Sequence, residues 1–358
     1  MSKKIHNFNA GPSVLPKEIF EKTSESILNL DASGLSILEI SHRSNDFKNI
    51  LSEAQELVLN ISNLDSSEYS CLFLQGGAST QFLMVAYNFL YNQAGYLNTG
   101  SWSDKAIKEA KHFGNVTELA SSKDKNYNYI PKDYKIPTNL DYIHITTNNT
   151  IYGTQISSFS KFDQPLIADM SSDIFSREIN YSAFDLFYAG AQKNIGPAGA
   201  TIVVIKNQMI EKINREVPSM LNYKVHIEKE SSFNTPPVFS IYACLLNLRE
   251  IKSKGLKNIE LENKAKAELL YEEIDNNSCF DGFAETEDRS YMNVTFNLND
   301  ENNSEIFEEL CKEKGIIGVN GHRSVGGYRA SLYNALKIDS VEVLIDCMKK
   351  LESLIKNK

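Results

Sequence analysis

With 358 residues, the chain has room for two domains sharing an interface or for one unusually large domain. Its 42% apolar and 23% charged residues are ordinary for a globular protein and exclude a disordered chain. A net charge of −9 argues against a nucleic-acid partner, whose phosphates need a basic surface, yet leaves room for a small anion held by arginines in a pocket.

The N-terminal MSKKIHNFNAGPS has lysines but no apolar core behind them, so no signal peptide is expected. Residues 17–30 suit an amphipathic helix after Pro16. A stronger helix runs through Phe47, Ile50, Leu51, Ala54, Leu57, Val58 and Ile61, which recur every three or four residues. The texture then changes to short apolar runs at 71–74, 116–119, 142–146, 165–169, 186–189 and 200–205, most of them separated by helical or turn-like segments. Strands alternating with helices imply a mostly parallel sheet covered on both faces. The longest apolar stretch, 82–90, is too short to span a bilayer. Beyond residue 250 the segments 256–275, 304–314 and 339–356 have helical period, with Gly315 as a stop, and a β-like run lies at 291–298. The expected architecture is a large α/β domain followed by a smaller α+β domain. Cys71, Cys244, Cys279, Cys311 and Cys347 are dispersed without CxxC or metal-like spacing, which suits a reducing, cytoplasmic setting and no metal.

In parallel α/β sheets, ligands sit at the carboxyl ends of strands. QGGAST, at 75–80, follows one apolar run and precedes a helix-like segment. Gly76 and Gly77 allow a close turn, and the free N–H groups of a helix start bind phosphate, although a plain strand–turn–helix reads the same way. Asp169 ends the run LIAD. It is either a turn residue or a carboxylate that keeps a pyridine nitrogen protonated. Lys193 lies just past the next run, flanked by small residues and followed by Gly196, Pro197 and Gly199. That is an odd place for a solvated charge and a suitable one for a Schiff-base amine. Trp102, the only tryptophan, sits in a Gly-Ser turn ahead of a helix that Ser103 or Asp104 would cap, where its indole can stack on an aromatic cofactor. A phosphate turn, a stacking ring, a ring-nitrogen carboxylate and an imine lysine together point to pyridoxal 5′-phosphate.

AGP at 10–12, SHR at 41–43, ADMSS at 168–172, YAGAQKNIGPAG at 188–199, FNTPP at 233–237 and GHRSVGGYRASLYNA at 321–335 together resemble the phosphoserine aminotransferases. These are class V members of the fold-type-I pyridoxal-phosphate enzymes, and the resemblance runs from about residue 5 to 355. It implies a mostly parallel seven-stranded sheet in a large domain spanning 16–250, with 1–15 and 251–358 forming the small domain. Lys193 would form the Schiff base and then shuttle a proton, and Asp169 would pair with the ring nitrogen. Trp102 would stack on the ring, and Thr150 would donate to its hydroxyl. Ala78, Ser79 and Gln192 would hold the cofactor phosphate, with Asn234 and Thr235 reaching in from the partner of a homodimer. Arg329 would grip the substrate α-carboxylate, and His42, Arg43, His322 and Arg323 would receive the distal phosphate or carboxylate. One departure stands out: some members carry an arginine where this chain has Ser79, leaving one cation fewer.

The reaction implied is transfer of the amino group of L-glutamate to 3-phosphohydroxypyruvate, giving phosphoserine, in serine biosynthesis. A related phosphorylated oxo-acid of pyridoxine synthesis is a further substrate of the type. Alternatives are an alanine–glyoxylate-type transaminase, a cysteine desulfurase, or a silent binding protein on the same fold. The cysteine positions disfavour the desulfurase. The SHR and GHR pairs favour a doubly anionic substrate, and the intact lysine and aspartate disfavour the silent protein.

Overall fold

The computed structural model describes residues 4–159, 162–323 and 325–357. Seven strands form one sheet: Tyr69–Leu74 (β1), Gln93–Asn98 (β2), Asn115–Ser121 (β3), Tyr142–Thr146 (β4), Leu166–Asp169 (β5), Leu186–Gly190 (β6) and Thr201–Lys206 (β7). Their spatial order is β1-β7-β6-β5-β4-β2-β3. Only β7 runs against its neighbours β1 and β6, and the remaining pairings are parallel.

The near-continuous apolar runs follow from covering both faces. On one face Cys71, Phe73, Phe187, Ala189, Ile202 and Val204 pack with Lys17–Leu28 (α1), Asn45–Ile61 (α2) and, later in the chain, Val238–Lys254. On the other, the alternate residues Leu72, Leu74, Leu186, Tyr188, Val203 and Ile205 pack with Gly77–Phe89 (α3) and Ser101–Ala110 (α4). We label Val238–Lys254 α5.

Strand β2 was not among the expected runs. Gln93, Gly95 and Asn98 dilute its apolar signal, and Leu140 packs so close to Gly95 that a Cβ there would lie 2.7 Å from Leu140 Cδ1 and displace that side chain.

Three more helices, Leu256–Asn276 (α6), Ser304–Lys314 (α7) and Ile338–Lys356 (α8), pack on an antiparallel sheet of Phe280–Gly282 (β8), Asn293–Leu298 (β9) and Tyr328–Ser331 (β10). Gly315 stops α7 with φ 78°, a left-handed conformation that glycine adopts without penalty. The N-terminal segment joins this layer: His6–Asn7 pairs in parallel with Ile316–Ile317, and Phe8 enters its core. No helix among the described residues is long and apolar enough to cross a membrane.

Phe307 is fully buried there, edge-on to Phe280 at 5.1 Å and to Tyr328 at 4.9 Å between ring centroids. Tyr328 immediately precedes Arg329, so this core sets where β10 lies. Phe307→Ala should cost about 3–5 kcal/mol in denaturant unfolding, through lost transfer energy and the residual cavity. A loss below about 1 kcal/mol would show that the ring is not a core element.

Candidate active site

Asp169 is the last residue of β5, pairs in register with Tyr188 of β6, and is buried. Its Oδ1 accepts from the Ser171 N–H at 2.9 Å. Burial pushes its carboxyl upward, while the Ser171 bonds and the charge of Lys193 pull it back. Beyond β6 a tight turn carries Gln192 and Lys193 into the same cavity, which has a volume of about 400 Å³. Protein surrounds the Lys193 amine and strips its hydration, lowering it from the usual 10.5 to about 8. Asp169 opposes that fall, and Arg329 adds to it. Behind Asp169 lies a second buried carboxylate, Asp173, which accepts from Gln155 Nε2 at 3.0 Å and from Thr147, and lies 3.6 Å from the Arg177 guanidinium.

The turn between β1 and α3 forms another wall, with Gly76, Gly77, Ala78 and Ser79 lining the cavity. Gly76 has φ 89°, and a Cβ there would sit 2.0 Å from Thr80 Oγ1, so only glycine fits. The first turn of α3 contains no acidic residue, leaving its N–H groups and positive dipole end available to an anion.

Trp102 lines the cavity from the first turn of α4, not from a turn ahead of it. Serine and aspartate are common N-cap types, which drew the expected start to Ser103 or Asp104. The cap is Gly100, and Ser103 reaches back from the third helical position to accept from the Thr99 and Gly100 N–H groups, both at 3.0 Å. The Trp102 indole donates to Thr150 Oγ1 at 2.9 Å, and Arg329 Nη1 donates to Thr150 O at 2.8 Å. Arg329 Nε is buried with no hydrogen-bond partner among the described residues, while the residue itself lines the cavity.

The cavity therefore unites Ala78, Ser79, Trp102, Thr150, Asp169, Gln192, Lys193, His322 and Arg329. Burial, helped by Arg329, Arg323 and Lys105, pushes His322 below 6.5, toward its neutral form. The structure does not bring His42, Arg43, Arg323, Asn234 or Thr235 to the lining. His42 and Arg43 lie on the loop before α2, with Arg43 exposed, and Arg323 is exposed beside His322. Asn234 Nδ2 donates to Gln75 Oε1 at 2.6 Å, and Gln75 Nε2 donates to Thr235 O at 2.7 Å.

Sequence reasoning missed Ala10, Gly11, Thr146, Asn148, Ser171 and Ser172 in the lining. Thr146 had a readable signal. It ends β4, faces Asp169 in register, and its buried hydroxyl has no partner among the described residues.

The family profile described as aminotransferase class-V matches residues 5–344. The chain is 55% identical over 355 residues to the phosphoserine aminotransferase of Flavobacterium psychrophilum, covering 98% of this chain and 100% of that one. The solved phosphoserine aminotransferase of Bacillus circulans subsp. alkalophilus superposes with a TM-score of 0.96 at 40% identity, over 99% of this chain and 100% of that one. The PLP-bound phosphoserine aminotransferase of Trichomonas vaginalis gives a TM-score of 0.92 at 33% identity, over 97% and 100%.

Only a neutral amine attacks an aldehyde, so Lys193 should be reactive above about 8 and protected below it. Reductive methylation of the cofactor-free chain, followed residue by residue by mass spectrometry, should show a midpoint near pH 8 at Lys193. A midpoint near the ordinary 10.5 would contradict the low-dielectric setting.

Proposed function

Because the chain belongs to the class-V aminotransferase family, we propose that it transfers the amino group of L-glutamate to 3-phosphohydroxypyruvate, giving phosphoserine and 2-oxoglutarate in a ping-pong cycle. The observation that carries this reading is the convergence of Lys193, Asp169, Trp102, the α3 N-terminus and Arg329 on one cavity.

The residues present fit pyridoxal 5′-phosphate. A glycine turn opens onto a helix N-terminus, a buried carboxylate and a buried amine share the space, and the Thr146 hydroxyl and Arg329 Nε are unpartnered among the described residues. When bound, the cofactor supplies a cationic ring that stabilises negative charge at the substrate α-carbon. Asp169 would hold the proton on the ring nitrogen, the Trp102 face would bear on the ring, and Thr150 would donate to the ring hydroxyl. Ala78, Ser79 and Gln192 would hold the phosphate. Lys193 would carry the cofactor and, once displaced by the substrate amine, take the α-proton on Nζ. Its lowered basicity suits both tasks, since each needs the neutral amine.

Arg329, which lines the cavity, would pair with the α-carboxylate, an anion whose shape the guanidinium fork matches. His322, with Arg323 at the rim, would face the distal anion. His42, Arg43, Asn234 and Thr235 do not line the cavity of their own chain, and in this reading they complete the site of a second copy in a homodimer. Leu35 and Leu38, 47% and 64% exposed just ahead of His42, supply apolar surface for that contact. With Ser79 in place of an arginine, the distal anion depends more heavily on these groups. The phosphorylated oxo-acid of pyridoxine synthesis has the same two anionic ends and would compete for the same grip. We place the enzyme in the cytoplasm, where its five buried free cysteines stay reduced.

The purified protein should be yellow, and Lys193→Ala should remove both turnover and the visible absorbance of lysine-bound cofactor. Arg329→Ala should lower kcat/KM for every amino acid by about 2–5 kcal/mol, the cost of breaking a desolvated charge pair. Arg43→Ala should spare L-alanine and hurt phosphoserine and L-glutamate. Equal losses for L-alanine and phosphoserine in the Arg43 variant would contradict the division between carboxylate grip and distal cluster.

A further inference from the structure

Lys193, Asp169 and Arg329 stand on three separate stretches of chain, and the residues just beyond each are joined by the amide side chains of buried Asn194 and Asn263 and half-buried Asn334. Asn194, directly after Lys193, accepts on Oδ1 from the Asn334 N–H at 3.1 Å and donates from Nδ2 to Ile174 O at 3.1 Å. Asn334, five residues past Arg329, donates from Nδ2 to Phe175 O at 2.9 Å. Its Oδ1 accepts at 2.8 Å from Asn263 Nδ2, which also donates to Ser176 O at 2.9 Å. Residues 174–176 follow Asp169 in the turn after β5. The bonds between Asn194, Asn334 and residues 174–175 tie the segment of one chemical group to that of another, and Asn263 of α6 braces two of those segments.

The amide is the side chain suited to such a junction. It offers donors and an acceptor together, so it can meet an N–H from one segment and a carbonyl from the next without a net charge. The turn at 332–336 has a second fastening of a different kind. Lys266 of α6 donates to Leu332 O at 2.7 Å, Tyr333 O at 2.9 Å and Leu336 O at 3.1 Å. That contact, like the Asn263 bond to Asn334, fixes the turn to its own layer, whereas the Asn334 N–H fixes it to the segment following Lys193 and the Asn334 amide to the segment following Asp169. A cavity of about 320 Å³ borders Asn194, Asn247 and Asn334, so the turn has room to shift once its amide bonds are cut.

We infer that Asn334 is a positioning residue for the substrate carboxylate: it sets where Arg329 stands relative to Lys193 and Asp169. The inference rests on the reading of Arg329 as the carboxylate grip. It assigns Asn334 no contact with substrate or cofactor.

The test is steady-state kinetics of the holoenzyme with Asn334→Ala, Arg329→Lys and the double variant, varying L-glutamate. Asn334→Ala should raise KM about tenfold to a hundredfold, as expected when a binding group is displaced by about 1 Å, with kcat at saturation held within about threefold. The pH titration of the lysine-bound cofactor absorbance should stay at the wild-type midpoint. In the Arg329→Lys background the further change in KM should be under about twofold, because two residues acting through one group are not additive. Asn334→Ser keeps the main-chain bond to Asn194 and drops the amide bonds, and it should show the same pattern if the alanine protein unfolds. Additive KM losses, or a fall in kcat with KM unchanged, would overturn the assignment. An Arg329→Lys enzyme with unaltered KM would overturn the carboxylate reading itself and this inference with it. An altered Arg329→Lys KM beside an unaltered Asn334→Ala KM would sink the positioning role alone.

Discussion

A primary amine and a carboxylate are held out of bulk water at the ends of neighbouring parallel strands, and the rest of the site is arranged around that pair. Neither group would be tolerated alone. An unpaired buried charge costs several kcal/mol, and lysine responds by losing its proton more readily. Here the penalty is only partly offset. Asp169 supports the protonated amine while Arg329 works against it, and the result is an amine near neutrality in basicity. The carboxylate is steadied in turn by the Ser171 N–H, and Asp173 is steadied by Thr147, Gln155 and Arg177.

The fold makes this pairing possible because every strand of the sheet except β7 sends its carboxyl end to the same edge. β1 delivers the glycine turn and the α3 N-terminus, β4 delivers Thr146, β5 delivers Asp169, and β6 leads to Lys193. Trp102 and Arg329 come from different layers, yet both bond to Thr150, one through its hydroxyl and one through its carbonyl. Thr150 thus ties the Trp102 side of the cavity to the Arg329 side. The core around Phe307 and Tyr328 holds β10 in place from behind.

Much of this was legible in the chain before any coordinates. Apolar runs ending in Asp169 or leading to Lys193 stood out because a charge just past a buried strand needs an explanation. Other parts left weaker traces. β2 is interrupted by polar residues and a glycine whose purpose is a close approach to Leu140, which periodicity cannot register. The start of α4 was misplaced because Ser103 caps from inside the helix. Thr146, Asn148, Ser171 and Ser172 are ordinary residues whose chemistry depends wholly on facing the cavity. His42, Arg43, Arg323, Asn234 and Thr235 were named through family resemblance alone, and they are not among the residues that line this chain's cavity.

Borohydride reduction of the protein with pyridoxal 5′-phosphate, followed by peptide mapping, tests the central claim most directly. The account requires the reduced adduct on the peptide containing Lys193 and on no other lysine at stoichiometric level. An adduct centred on a different lysine, or spread evenly among surface lysines, would contradict it.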